Sequence, residues 1–245
     1  MFLNATSRLK SRLSAIRALA SIGAIAGLAV VAGCNLDTTP TGPTGPQGLV
    51  QFINAAPRYG AAYLNVDTAT AVQGIAYGTG QAAYVAALST PRQFTVRNTG
   101  DTTTVASAQL PIADQTVYTM ILTQHSVGGG LLVYRDTVST PPSNQIGLRV
   151  VNAAPSAGNV DVYVTDSDTS LTTPNATNVP FEGSSVYVNV PTGTVHVRIT
   201  TAGTKTVLLD ADVSQLVVGQ VRTILVIDAP GGGTPLSWLA IPDRG

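Results

Sequence analysis

The sequence predicts an all-β protein: two tandem β-sandwiches, immunoglobulin-like or transthyretin-like, behind a signal segment and a Pro/Gly-rich linker. Three observations lead there. Stretches such as Val195-His196-Val197-Arg198-Ile199 and Val160-Asp161-Val162-Tyr163-Val164 alternate apolar and polar residues, which on a strand places one set of side chains on a buried face. Helix-favouring residues are scarce beyond the signal segment: glutamate occurs only at Glu182 and lysine only at Lys205. A pattern also repeats, since Phe52-Ile53-Asn54-Ala55-Ala56-Pro57 returns 98 residues later as Val150-Val151-Asn152-Ala153-Ala154-Pro155.

Composition removes several functions. The 245 residues carry 13 basic and 13 acidic side chains, so no positive field draws a phosphate backbone, and nucleic acid is excluded as a partner. A single cysteine forms no internal disulfide and no cysteine-rich zinc site, and no cofactor motif is present.

Residues 1–33 read as an export signal. Arg8, Lys10, Arg12 and Arg17 form a positive region without acidic residues, and an apolar run extends from Ala18 to Ala32. That run is short for a membrane span. It ends in Val31-Ala32-Gly33-Cys34, which resembles the lipobox of bacterial lipoproteins. The resemblance implies cleavage after Gly33 and a lipid on Cys34, so the chain is anchored to a membrane and does not span it. Asn35, standing where an aspartate signals inner-membrane retention, points to the outer membrane of a Gram-negative bacterium. Removing residues 1–33 leaves 9 basic against 13 acidic residues, a net charge of −4.

Residues 34–48 read as the lipidated cysteine and a tether. Pro40-Thr41-Gly42-Pro43-Thr44-Gly45-Pro46-Gln47-Gly48 is too short for a collagen helix and suits an extended polyproline spacer; at about 3.1 Å per residue, the fourteen residues 35–48 lift the sandwiches off the membrane by about 40 Å.

Residues 49–142 and 146–245 are the two sandwich repeats. Tyr84-Val85 matches Tyr187-Val188 and Gly128-Gly129-Gly130 matches Gly231-Gly232-Gly233, both at an offset of 103. Seven or so strands are expected in each, with Thr116–Thr123 and Val221–Ile227 as central strands and the glycine triplets at the tip of the last hairpin. The joint, Pro141-Pro142-Ser143-Asn144, is short, and end-to-end packing of the repeats is the expectation from it.

Asn54-Ala55-Ala56-Pro57, Ala76-Tyr77-Gly78 and Tyr84 in the first repeat resemble domain of unknown function 4397, an extracytoplasmic bacterial domain often found in tandem on lipoproteins and surface proteins. In the second repeat the matching residues are Asn152-Ala153-Ala154-Pro155, Val160-Asp161-Val162-Tyr163 and Tyr187. Pro180-Phe181-Glu182-Gly183 departs from the pattern, with phenylalanine in place of tyrosine. The resemblance implies no catalytic residue.

Candidate chemistry is sparse. His125 and His196 are the only histidines, and both read as structural or surface residues, with no serine elbow ahead of a helix to make a triad. Asp161, Asp166 and Asp168 gather at one strand-to-loop transition, where carboxylates suit calcium, but the run lacks the glycine and distant glutamate of an EF-hand loop. Solvated turn residues are the simpler reading, so no metal is assigned. Trp238 belongs to an apolar terminal strand and reads as core. The expected function is therefore not enzymatic: a lipid-anchored envelope protein with a structural or adhesive role toward a polysaccharide or an envelope or surface protein. The alternative is an envelope hydrolase or accessory subunit whose polar cleft lies between the sandwiches and uses His125 or His196.

Overall fold

The computed structural model describes residues 44–136, 140–165 and 170–243. The lipobox, Cys34, Asp166 and Asp168 lie outside them. The first repeat contains β1 (Gln47–Asn54), β2 (Ala61–Val66), β3 (Ala69–Ala76), β4 (Thr79–Gly80) and β5 (Val85–Leu88). It continues through β6 (Pro91–Asn98), β7 (Thr104–Pro111), β8 (Val117–Gln124) and β9 (Gly129–Arg135). The second contains β10 (Gln145–Asn152), β11 (Val160–Thr165), β12 (Ala176–Val179) and β13 (Val188–Pro191). It is completed by β14 (Gly193–Thr201), β15 (Val207–Leu216), β16 (Val221–Ile227) and β17 (Ser237–Asp243). The strand count per repeat is thus a little above the expected seven. Strand β1 also begins two residues inside the expected tether, because Gln47 and Gly48 pair with Leu88 and Ala87.

Each repeat is a β-sandwich. In the first, a sheet ordered β3-β2-β6-β7 faces a sheet ordered β4-β1-β8-β9, in which β5 also pairs with β1. In the second, β12-β11-β14-β15 faces β13-β10-β16-β17. The opening strand of each repeat runs parallel to the penultimate one, β1 with β8 and β10 with β16. Phe52, Leu64, Phe94 and Met120 fill the first core; Leu148, Val162, Val197 and Ile224 fill the second.

The repeats do not meet end to end. They meet face to face through their β1 and β10 sheets, and a third core of Ile53, Ala55, Ile121, Val151, Ala153, Leu225, Ile227 and Ile241 lies between them. Alternation explains this. Along β1, Phe52 points into the first sandwich, and Ile53, next in sequence, points into the interface. Strands covered on both faces read as continuous apolar runs, which is why β8 and β16 look so hydrophobic. Each fully buried side chain of this kind contributes about 1.5–3 kcal/mol, enough to outweigh any freedom of the joint.

The repeated Asn-Ala-Ala-Pro motif is an anchor for loops. Asn54, fully buried, donates from Nδ2 to the carbonyls of Tyr59 and Ile75 and accepts the Ala56 N–H. Asn152 does the same toward Gly158, Val179 and Ala154. Each carboxamide thereby ties three backbone groups from separate stretches of the chain together.

Candidate functional site

The two repeats contact one another reciprocally. Tyr77 of the first reaches into the second, where its hydroxyl donates to the Asp228 carbonyl oxygen. Phe181 of the second reaches into the first, where its ring meets His125 edge to face at 5.8 Å. The backbone shows that these are equivalent positions: the Gly78 N–H donates to the Asn54 carbonyl, and the Glu182 N–H donates to the Asn152 carbonyl. Reciprocity of this kind belongs to an isologous pairing, in which one patch is used twice. Here the patch has diverged.

At the Tyr77 place the polar groups are consumed internally. Asp228 accepts the Ser156 N–H and hydroxyl on Oδ1 and the Gly233 N–H on Oδ2. Burial pushes the Tyr77 phenol up to about 12, and the Asp228 carboxylate adds to the shift. Gly78 rests against the apolar Ile227.

At the Phe181 place a cleft of about 620 Å³ opens between the sandwiches, lined by Arg58, Gln124, His125, Ser126, Pro155, Phe181 and Glu182. Its floor is a carboxylate held by two partners. Glu182 Oε1 lies 2.7 Å from His125 Nε2 and accepts the Thr123 hydroxyl at 2.5 Å. Glu182 has φ +66°, a left-handed conformation that suits the glycine at the equivalent Gly78 (φ +70°) far better. Gly130 on β9 makes the close approach possible. A methyl group there would fall 2.5 Å from Glu182 Oε1 and Thr123 Oγ1 and 2.7 Å from His125 Nε2. The Tyr134 hydroxyl fixes the other side by donating to the Glu182 carbonyl.

The cleft rim carries a cation. The Arg58 N–H donates to Gln124 Oε1, and both terminal nitrogens of its exposed guanidinium reach the Ser126 carbonyl only at 3.4 Å. Arg58 and Glu182 line the same space without forming an ion pair, since Glu182 is turned toward His125.

Behind the cleft the interface buries a charged cluster. Arg149, 6% exposed, places Nη2 3.4 Å from Asp136 and 3.7 Å from Asp243, between the rings of Tyr134 and Tyr187, each 4.8 Å away. Thr119 donates to Asp136, and Thr223 and Tyr187 donate to Asp243. Burial raises Asp136 to about 6; Thr119 and Arg149 pull its pKa down, while Asp243 adds to the rise. Asp243 is also raised, again mainly by burial.

The sequence-derived candidates fall as follows. His125, exposed, lines the cleft and pairs with Glu182 across the interface. His196 lies on the outer sheet of the second sandwich, with Nδ1 2.5 Å from Asp212, in a different sandwich from His125. Asp161 is buried and fastens strand β12 and the β14–β15 turn, accepting the Asn178 and Gly203 N–H groups. Trp238 is partly buried against the second core. Glu182, which lines the cleft, is not among the candidates the sequence singles out. The signal was its being the sole glutamate, standing where the other repeat has glycine.

Residues 48–163 match the family described as a domain of unknown function (DUF4397). The DUF4397 match covers nearly all of the first sandwich and crosses the joint into β11. None of the curated proteins compared with the chain matches it. Among solved structures, the chain is similar to one described as "Alpha-glucan binding by a streptococcal virulence factor", at 9% identity over 73% of this chain and 92% of that one, TM-score 0.27. It is similar also to CBMbc (family CBM26) from Eubacterium rectale Amy13K in complex with maltoheptaose, at 11% identity over 79% and 96%, TM-score 0.26. At these TM-scores no property of those proteins transfers to this chain.

Proposed function

We propose that this chain is a lipid-anchored cell-envelope protein, tethered at Cys34, that binds a polysaccharide in the cleft between its sandwiches without transforming it. One observation carries the reading: an aromatic ring, Phe181, stands beside fixed polar groups of both signs in an open cleft. A sugar has an apolar C–H face and a polar rim, so a ring beside hydrogen-bonding side chains complements it. The lining argues against turnover. Glycoside hydrolysis ordinarily takes two carboxyl groups flanking the bond, and among the described residues Glu182 is the one carboxylate lining this cleft.

A glycan array with the purified protein tests the proposal. Binding that disappears in Phe181→Ala is expected; no glycan bound, or binding untouched by that variant, overturns it. Cys34→Ser should move the protein from the membrane to the soluble fraction, and continued sedimentation with membranes removes the anchor.

The hydrolase reading keeps one supporting observation, the His125–Glu182 pair in the cleft. It requires cleavage of an oligosaccharide or ester that is lost in both His125→Ala and Glu182→Gln.

A further inference from the structure

We infer that the cleft takes an acidic glycan and that Arg58 reads a uronic-acid carboxylate on it. This rests on the polysaccharide reading and names the class of sugar. Arg92, Arg149 and Arg198 each pair with an aspartate, whereas no carboxylate pairs with Arg58, Arg97, Arg135 or Arg222 among the described residues, and of these four Arg58 lines the cleft. Its two terminal nitrogens straddle one carbonyl oxygen at the long distance of 3.4 Å, which leaves most of the fork's five donors for a ligand. The neighbouring carboxylate does not neutralise it, because Thr123 and His125 hold Glu182.

The cation is also peculiar to this place. The equivalent residue in the second repeat is Ser156, 98 positions on, and its hydroxyl is spent on Asp228. Three further positions changed with it: Glu182 against Gly78, His125 against Ala229, and Thr123 against Ile227. One copy of a duplicated patch is closed by its own hydrogen bonds, and the other presents a ring, an anion and an unpaired cation to solvent. A planar guanidinium fork matches a planar carboxylate with two parallel bonds. Among the described residues lining the cleft there is no lysine, and the one helical turn beside it, the 3-10 turn Pro155–Ala157, opens on a proline with no N–H to offer, so a carboxylated sugar fits better than a phosphorylated one.

Isothermal titration of the purified protein tests this with three acidic probes: tetragalacturonate, an alginate tetramer and a hyaluronan tetrasaccharide. Methyl-esterified tetragalacturonate and maltotetraose serve as uncharged counterparts. At least one acidic probe should bind 10-fold or more tightly than the uncharged sugars, and Arg58→Gln should reduce that affinity to the uncharged level. Salt should weaken the acidic probe in the wild type and not in the variant. If uncharged sugars bind through Phe181 as tightly as acidic ones, or if Arg58→Gln changes nothing, the carboxylate inference falls and the polysaccharide reading stands. Failure of all five probes to bind overturns both.

Discussion

Glu182 meets His125 at 2.7 Å from a backbone conformation, φ +66°, that the other repeat gives to Gly78. A side chain in the left-handed region costs about 1–2 kcal/mol, and the two bonds made by the carboxylate offset part of it. The position therefore separates strain from contact. Glu182→Gly removes both and should leave stability within about 1 kcal/mol of the wild type. Glu182→Ala keeps the strain and loses the bonds, so it should be about 1 kcal/mol less stable than Glu182→Gly. Urea denaturation of the two variants gives the comparison, and equal stabilities would show that no strain is stored there.

Gly130 supplies the room for that contact. Alanine at this site puts a methyl group within 2.7 Å of all three members of the Thr123–Glu182–His125 cluster, all of them side-chain atoms able to move aside. Gly130→Ala is expected to fold and to disperse the cluster. Its NMR spectrum should show the His125 ring signals displaced and those of His196, on the outer sheet of the other sandwich, unmoved. Glycan affinity should fall about 10-fold, a loss of about 1.4 kcal/mol.

The buried Arg149 balances two carboxylates that have lost their water. Arg149→Met leaves Asp136 and Asp243 together in a buried site without a cation, and should destabilise the protein by about 3–5 kcal/mol. Adding Asp136→Asn and Asp243→Asn removes the uncompensated charges and should recover a good part of the loss. A triple variant as unstable as the single one would mean that Arg149 acts through packing between Tyr134 and Tyr187 instead.

What the sequence revealed depended on how local the signal was. Strands β8 and β16 were visible because a strand covered on both faces is apolar at nearly every position, and Asn54 and Asn152 were visible because they repeat. The face-to-face packing was hidden. Phe52 and Ile53 are equally apolar, and nothing in their order says that one faces a sandwich core and the other faces a second sandwich. A short joint pointed to end-to-end packing, but the joint constrains only distance, and the apolar faces decide orientation. Nothing local in Leu148-Arg149-Val150 says that the arginine is buried between two sandwiches. Glu182 became informative only when the ladder put it in register with Gly78, through two loops whose spacing differs between repeats.

The charged cluster also sets a pH dependence. Asp136 is raised from its ordinary 3.8 to about 6, burial being the main cause, so the native state holds this proton more tightly than the unfolded chain does. Between those values the folded protein binds more protons, and stability must fall as pH rises. The contribution is fully present below about pH 4 and is lost as pH passes through about 6. Asp243 shifts in the same direction. Asp67 and Asp101, lowered chiefly by backbone hydrogen bonds, act in the opposite sense but below the ordinary carboxylate range, outside this window. Urea midpoints should therefore correspond to greater stability at about pH 5 than at about pH 7.5, by on the order of 1 kcal/mol. Asp136→Asn carries an amide that does not titrate, and in this variant the difference should shrink, with both histidines still present as the control. A pH difference of the same size in the variant would assign the dependence to groups other than Asp136.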